Sequence, residues 1–244
     1  MWLSAASLAW LFVAAPPARD TTFTVTIRGI VLEVTDSSRQ ADRPVVLLSK
    51  PLLVGHDRIW MLDVAGDPKR MERWENRFVE ATGSVTMAPS GRLALTPTRV
   101  QEAKPDGLVR READPSFSQH AVVTLSLIPD HFAVRLNEGG NRVSPVALYT
   151  VANYSQTDLE YQFSTGEFVC ISLSREGEAS PRWTGAWKPS HPSQHLTIRM
   201  GPAFRAVMPI PADQLAWPGH YTVRASLCGM AEYAAVVPLV LTTE

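Results

Sequence analysis

Proline recurs along the whole chain, nineteen residues against fourteen glycines, and this spacing restricts the fold more than any other feature. Proline lacks a backbone donor and clashes with the preceding turn of a helix, so it is kept out of helix interiors and central strands. Such a chain builds short strands joined by turns. The stretches between prolines are of that kind. Phe23 to Ile27 alternates apolar with polar residues, then slips phase at Gly29 ahead of Ile30, Val31 and Leu32. A glycine inside a strand pattern marks a bulge or a tight bend. Residues 44–54 and 58–64 supply two further strand runs. Asp67 then stands as a helix N-cap with Pro68 at the first helical position, and Met71, Trp74 and Phe78 recur at the spacing of one helical face. Two more strands, 78–87 and 92–100, are joined by a turn at 88–91. Five strands with a single helix before the fourth is the order of an OB-like barrel, in which the helix plugs one end. The predicted barrel spans 20–103.

Residues 104–116 are polar, carry two prolines and show no period, which predicts an interdomain linker. From 117 to 244 the chain offers strands and little else: 121–128, 132–136, 146–153, 159–163, 168–173, 196–200, 204–208, 221–227 and 233–241, separated by glycine-containing turns. Seven to nine short strands over such a length argue for an immunoglobulin-like β-sandwich. The expected fold class is therefore all-β, a five-stranded OB-like barrel with one short helix followed by a sandwich. Apolar residues at 45% and charged residues at 19% are the composition of a folded chain.

The first fifteen residues contain no charged side chain and run into Pro16, Pro17, Ala18 and Arg19. This length is too short to span a bilayer and suits a signal-peptide core, although no Lys or Arg precedes it. Residues 1–18 are read as a signal peptide, so the protein is expected to be secreted or periplasmic. The alternatives are an uncleaved anchor, which would be its only link to a membrane, and a buried N-terminal segment. The two cysteines, Cys170 and Cys228, each lie on a strand-like run. In an oxidising compartment they suit a disulfide, and the alternative is two unpaired thiols in neighbouring strands. Val169, Ile171 and Leu173 share one strand parity and Val223, Ala225 and Leu227 another, which predicts that both sets face the core and both cysteines lie off it. A bridge is then easiest between adjacent strands of one sheet, or with Cys228 just past its strand's end.

Several segments between 146 and 228 fall into a familiar order: Val151-Ala-Asn153-Tyr-Ser155, then Phe163-Ser-Thr-Gly166-Glu167, Gly177 followed by Trp183, Met200-Gly201-Pro202, and Gly219-His-Tyr221-Thr-Val223-Arg-Ala225-Ser-Leu227. Together they resemble the BsuPI domain, the family of an intracellular proteinase inhibitor. The resemblance implies an immunoglobulin-like sandwich and, more distantly, binding to a protease. Cys170 departs from the polar or acidic residue usual at its place in that family, and 184–195 is a longer, Pro- and His-containing stretch. A shared fold does not fix a shared function. Independently of the resemblance, Gly219 ahead of Tyr221 predicts a turn into a late strand with the phenol tied back to the loop, like a tyrosine corner.

Catalytic motifs are missing from the sequence: no Gly-x-Ser-x-Gly elbow, no His-Glu-x-x-His, no phosphate-cradling loop, no dinucleotide fingerprint and no EF-hand loop. His191 and His195 stand four apart, but Pro192 between them argues against a helical metal clip. Glu176 with Glu178, Asp158 with Glu160, and Glu72 with Glu75 are expected on solvated faces. No metal or other cofactor is expected. Twelve Lys/Arg against eleven Asp/Glu over 20–104 leave the barrel without the basic groove of a single-strand binder, so no nucleic-acid partner is expected. Trp183, Trp187 and Trp217 are expected in loops, either capping the core or forming a contact surface. The candidate recognition loop comprises Arg182, Trp183, Trp187, Lys188, His191 and His195. The expected function is a non-enzymatic, exported protein-interaction module whose partner is a protein, with a protease foremost. A structural or accessory envelope protein that binds carbohydrate or a partner protein is the second reading, and a cryptic enzyme the least favoured.

Overall fold

The structure, a computed structural model, describes residues 22–36, 41–54, 57–66, 69–88, 92–105, 109–111, 121–129, 131–134, 144–191, 193–215 and 217–243. The signal segment 1–18, the capping pair Asp67 and Pro68, most of the 88–91 turn and the greater part of the linker lie outside the described residues.

The protein is all-β. Strands β1 (Phe23–Asp36), β2 (Ala41–Val54), β3 (Asp57–Val64), β4 (Phe78–Met87) and β5 (Leu93–Glu102) close into a barrel in the order β1-β2-β3-β5-β4, with only β3 and β5 parallel. Its interior holds Ile27, Val31, Val46, Leu48, Leu62, Val79, Ala81, Val85 and Leu95. Helix α1 (Lys69–Glu72) precedes β4 and buries Met71 against this core, with Trp74 partly buried beside it. It is shorter than the sequence predicts. Turns follow Glu72, Asn76 adopts a left-handed φ of 58° and donates its N–H to Val31 O at 2.8 Å, and Phe78 already belongs to β4. The Met71, Trp74, Phe78 spacing is thus not one helical face.

The phase slip at Gly29 has a clear cause. Strand β1 pairs with β4 over Phe23–Ile30 and with β2 over Gly29–Asp36, so Gly29 is the corner where one strand changes neighbours. A Cβ there would lie 2.2 Å from Leu47 O and 2.9 Å from Leu47 C, which are backbone atoms with little room to yield. Gly29→Ala is expected to cost the protein about 1–3 kcal/mol as an overpacked site, measured as a lower urea midpoint at unchanged slope.

The second half forms a sandwich. One sheet runs β12 (Trp183–Trp187), β11 (Val169–Arg175), β15 (Gly219–Leu227), β16 (Ala235–Thr243), β8 (His131–Val134). The other runs β14 (Phe204–Pro209), β9 (Val146–Asn153), β7 (Ala121–Ile128), β6 (Val109–Arg111). Strands β10 (Leu159–Gln162) and β13 (His195–Ile198) pair separately. Two strands were hidden in the sequence. Val109–Arg111, read as linker, pairs with β7, and Trp183–Trp187, read as loop, pairs with β11. Val169, Ile171, Leu173, Val223, Ala225 and Leu227 all face the core as their parity predicts, none more than 3% exposed.

Barrel and sandwich share a third apolar cluster. Ile30, Leu47 and Phe78 of the barrel pack with Ile128, Val146 and Leu148 of the sandwich. This accounts for the continuous apolar runs Ile30-Val31 and Val46-Leu47-Leu48, which a one-faced strand would not need. In each run, one parity fills the barrel and the other fills the junction. Arg205 reaches across the junction to Glu102 at 2.5 Å, and Arg28 Nη2 donates to Lys104 O at 2.6 Å.

Candidate binding surfaces

The sequence-predicted recognition loop divides into an anchored part and an exposed part. Arg182 is held at the near end, its N–H donating to Leu173 O at 2.7 Å and its guanidinium lying 3.4 Å from Glu178. Trp183 and Trp187 point inward from the edge strand β12 and are partly buried on the sandwich core. The Trp187 ring sits between Phe168, at 6.2 Å, and Phe204, at 5.6 Å edge-on. The Trp183 ring lies so close to Gly185 that a Cβ there would be 2.5 Å from it. These two tryptophans cap the core, whereas Trp217 is 58% exposed.

The exposed part lies in the connection from β12 to β13, where Lys188, Ser190, His191 and Gln194 are exposed. Lys188 Nζ lies 3.1 Å from Glu167 with its side chain largely in solvent. His191 is exposed, its Nδ1 3.3 Å from Ser190 Oγ. His195 begins β13 and donates its N–H to Ser193 Oγ at 3.1 Å. The far end of the connection is pinned by Phe163 N–H to Gln194 O at 2.7 Å and by Gln194 Nε2 to Ser164 O at 3.2 Å. A recess of about 700 Å³ lies beneath it, lined by Thr165, Gly166, Lys188, Ser190 and His195 among others. His191 and Ser190 are sequence neighbours in solvent, and among the described residues no carboxylate orients the ring as a nucleophile–base pair requires. Among the described residues no three His, Cys, Asp or Glu side chains converge as metal ligands.

The scaffold behind this connection is cross-linked. Cys170 on β11 and Cys228, one residue beyond β15, form a disulfide, with sulfurs 2.08 Å apart and Cα atoms 5.0 Å apart. They stand diagonally on adjacent strands, since Cys170 is opposite Ser226. At the other end of β15, Tyr221 donates its phenol to Trp217 O at 2.8 Å, forming the predicted tyrosine corner. Arg175 lies beneath Gly219 and donates to Pro218 O at 3.2 Å. Deeper in the core Tyr149 donates to Tyr233 O at 2.7 Å, and the Tyr161 and Tyr233 hydroxyls share a hydrogen bond. Burial is the main reason all three phenols titrate above the ordinary tyrosine range. Their folded pKa values are raised, so their contribution to stability is whole below that range and is lost as pH climbs through it.

Sequence reasoning missed a second surface entirely. A groove of about 520 Å³ opens beside the barrel–sandwich junction, with Glu102 and Lys104 on one side and Thr124, Thr150, Tyr154 and Arg205 on the other. The Thr124 and Thr150 hydroxyls bond each other across β7 and β9, and Tyr154 is 70% exposed at the mouth. The groove draws on residues 78–154 and 203–205, so no local motif could have indicated it.

Neither a scan against protein-family models nor a search of the curated proteins finds a match for the chain. The fold and surfaces define an all-β protein with a closed barrel and a disulfide-linked sandwich. Among the described residues, no helix is long and apolar enough to cross a membrane.

Proposed function

We propose that this is an exported, non-catalytic protein-interaction module that presents residues 188–194 to its partner, with a protease as the foremost partner class. The observation that carries the reading is the contrast between the exposed connection and its anchors. Lys188, Ser190 and His191 are open to solvent, while the ends are fixed by Trp187 in the core and by the hydrogen bonds of Gln194. A contact segment held this way loses little conformational entropy on binding, which is what a tight-binding loop requires. The disulfide agrees with an oxidising compartment, and with the apolar start of the chain it supports export.

The resemblance to the BsuPI domain bears on the scaffold more than on the contact surface. Asn153 and Ser155 form a buried hydrogen-bonded turn, Phe163 stacks on Phe168 at 5.0 Å, and Gly166, Gly177 and Gly201 take positive φ in turns. These residues support a common fold, and the partner would be chosen by the connection.

The test is a panel of serine, cysteine and metalloproteases assayed with the purified, disulfide-intact protein. Inhibition of at least one class at micromolar concentration or below is expected. Replacing Lys188 and His191 together by alanine should weaken it by roughly tenfold, with the melting midpoint unchanged. No inhibition at micromolar protein would end the protease reading. The junction groove favours a second reading, an accessory envelope protein that binds a carbohydrate, because Tyr154 and the polar rim suit a sugar. Glycan-array binding lost on Tyr154→Ala would favour that reading.

A further inference from the structure

The barrel is nearly neutral overall, but its charges are unevenly satisfied. Arg43 pairs with Asp63 at 2.5 Å, Arg77 with Glu102 at 3.3 Å and Arg28 with Glu80 at 4.0 Å. Arg70 and Arg73 have no carboxylate partner among the described residues. Both line a cleft of about 420 Å³ between α1 and β5, together with Met71, Trp74, Pro97 and Val100. Among the described residues the cleft lining contains no acidic side chain. Of the described acids nearby, Glu72 is exposed and Glu75 accepts from Asn76 Nδ2 at 3.2 Å.

One of the two cations is already positioned. The Arg73 guanidinium lies over the Trp74 ring, 5.2 Å from its centroid, an arrangement that holds the charge by attraction to the ring face. Trp74 is itself a lining residue, and its Nε1 is buried with no acceptor among the described residues. The remaining wall is formed by Met71, Pro97 and Val100, with Thr98 as its one polar side chain among the described residues. Guanidinium groups match oxyanions because their planar donors meet two oxygens at once, and the cleft falls within the size range of small-ligand sites, about 300–1,000 Å³.

We propose that this cleft binds a small organic oxyanion, a carboxylate or phosphate group on a compact apolar body, clamped by Arg70 and Arg73. The acid group meets the two guanidinium groups, and the body rests on Met71, Pro97 and Val100. The proposal is independent of the 188–194 surface and of any protease partner.

The test uses the full chain, titrated with phenyl phosphate and phenylacetate, and with inorganic phosphate and acetate as their body-less counterparts. Binding is followed by calorimetry and by the indole N–H resonance of Trp74, assigned by its loss in Trp74→Phe. Saturable one-to-one binding is expected, tighter for the aromatic member of each pair, with a downfield shift of that resonance. Whichever pair binds more tightly identifies the preferred acid group. Arg70→Gln and Arg73→Gln should each weaken binding by roughly tenfold. Arg99→Gln, outside the cleft lining, should leave it unchanged. Both clamp arginines are exposed, so a melting midpoint equal to the parent's confirms that the variants fold. Absence of saturation at millimolar ligand, or equal affinity in all three arginine variants, would overturn the proposal.

Discussion

Replacing Cys170 and Cys228 together by serine is expected to lower the unfolding free energy by about 4 kcal/mol, the chain-entropy value for a cross-link spanning 58 residues. In a protein of this size such a loss lowers the melting midpoint by roughly ten degrees. The figure rests on where the bridge sits. It joins adjacent strands at the end of β11, where Cys228 N–H also donates to Phe168 O at 3.0 Å, and Phe168 is the neighbour of Trp187. The native sheet already holds these residues together, so the bridge acts mainly by restricting the unfolded chain. Urea unfolding of the parent, the double serine variant and the reduced parent tests this. The variant and the reduced parent should coincide at a lower midpoint, with a steeper slope than the parent because the uncrosslinked unfolded chain exposes more surface. Equal midpoints for all three would mean that the bridge contributes nothing to stability.

Element type was legible wherever a strand is longer than a few residues and buries one face. The 121–128 and 146–153 runs coincide with β7 and β9, because each alternates or is apolar between turn residues. Pairing was less legible. That Cys170 and Cys228 stand on adjacent strands depends on long-range order, which the parity argument left open as one condition for a bridge. Strand β12 escaped detection because Trp-Thr-Gly-Ala-Trp has a glycine at its centre and prolines beyond both ends, the pattern of a loop; it is a strand because both indoles find the core. Strand β6 escaped because its charged residues sit at a sheet edge, where apolar alternation is not required. The helix was predicted too long because Phe78 sits at helical spacing from Trp74 yet serves the junction. The same junction explains the two-faced apolar runs, which looked like irregular strands in the absence of a partner. As to surfaces, the sequence pointed to 182–195 as a segment but not to its division into anchored and exposed parts. The junction groove and the arginine cleft bring together residues distant in the sequence, so only the folded chain reveals them.

Asn153 is expected to be the most costly single polar residue to remove. It is 1% exposed at the end of β9 and uses its whole amide. Nδ2 donates to Thr157 O and Ile198 O, each at 2.9 Å, and Oδ1 accepts from Ser155 N at 2.9 Å and Ser155 Oγ at 2.6 Å. One side chain therefore closes the 153–157 turn and ties β9 to β13, while its own carbonyl accepts from Gly201 N at 3.3 Å. Asn153→Ala strands the Ile198 carbonyl and the Ser155 N–H away from water, and the expected loss is about 3–4 kcal/mol by urea unfolding, since a buried group left unpaired forfeits its full solvation. Asn153→Asp separates that role from simple packing. It keeps the acceptor for Ser155 but aims a carboxylate oxygen at two carbonyls, so burial and repulsion will raise its folded pKa above the ordinary carboxylate value. A raised folded pKa means that the protonated form, which restores one donor, is the compatible one. The aspartate variant should thus lie closest to the parent under acidic conditions and fall away from it as pH rises through the folded pKa. The alanine variant, with nothing to titrate at that site, should keep a constant deficit. A pH-independent gap for the aspartate variant would show that the site tolerates a charge, and that the carbonyls of Ile198 and Thr157 find other donors.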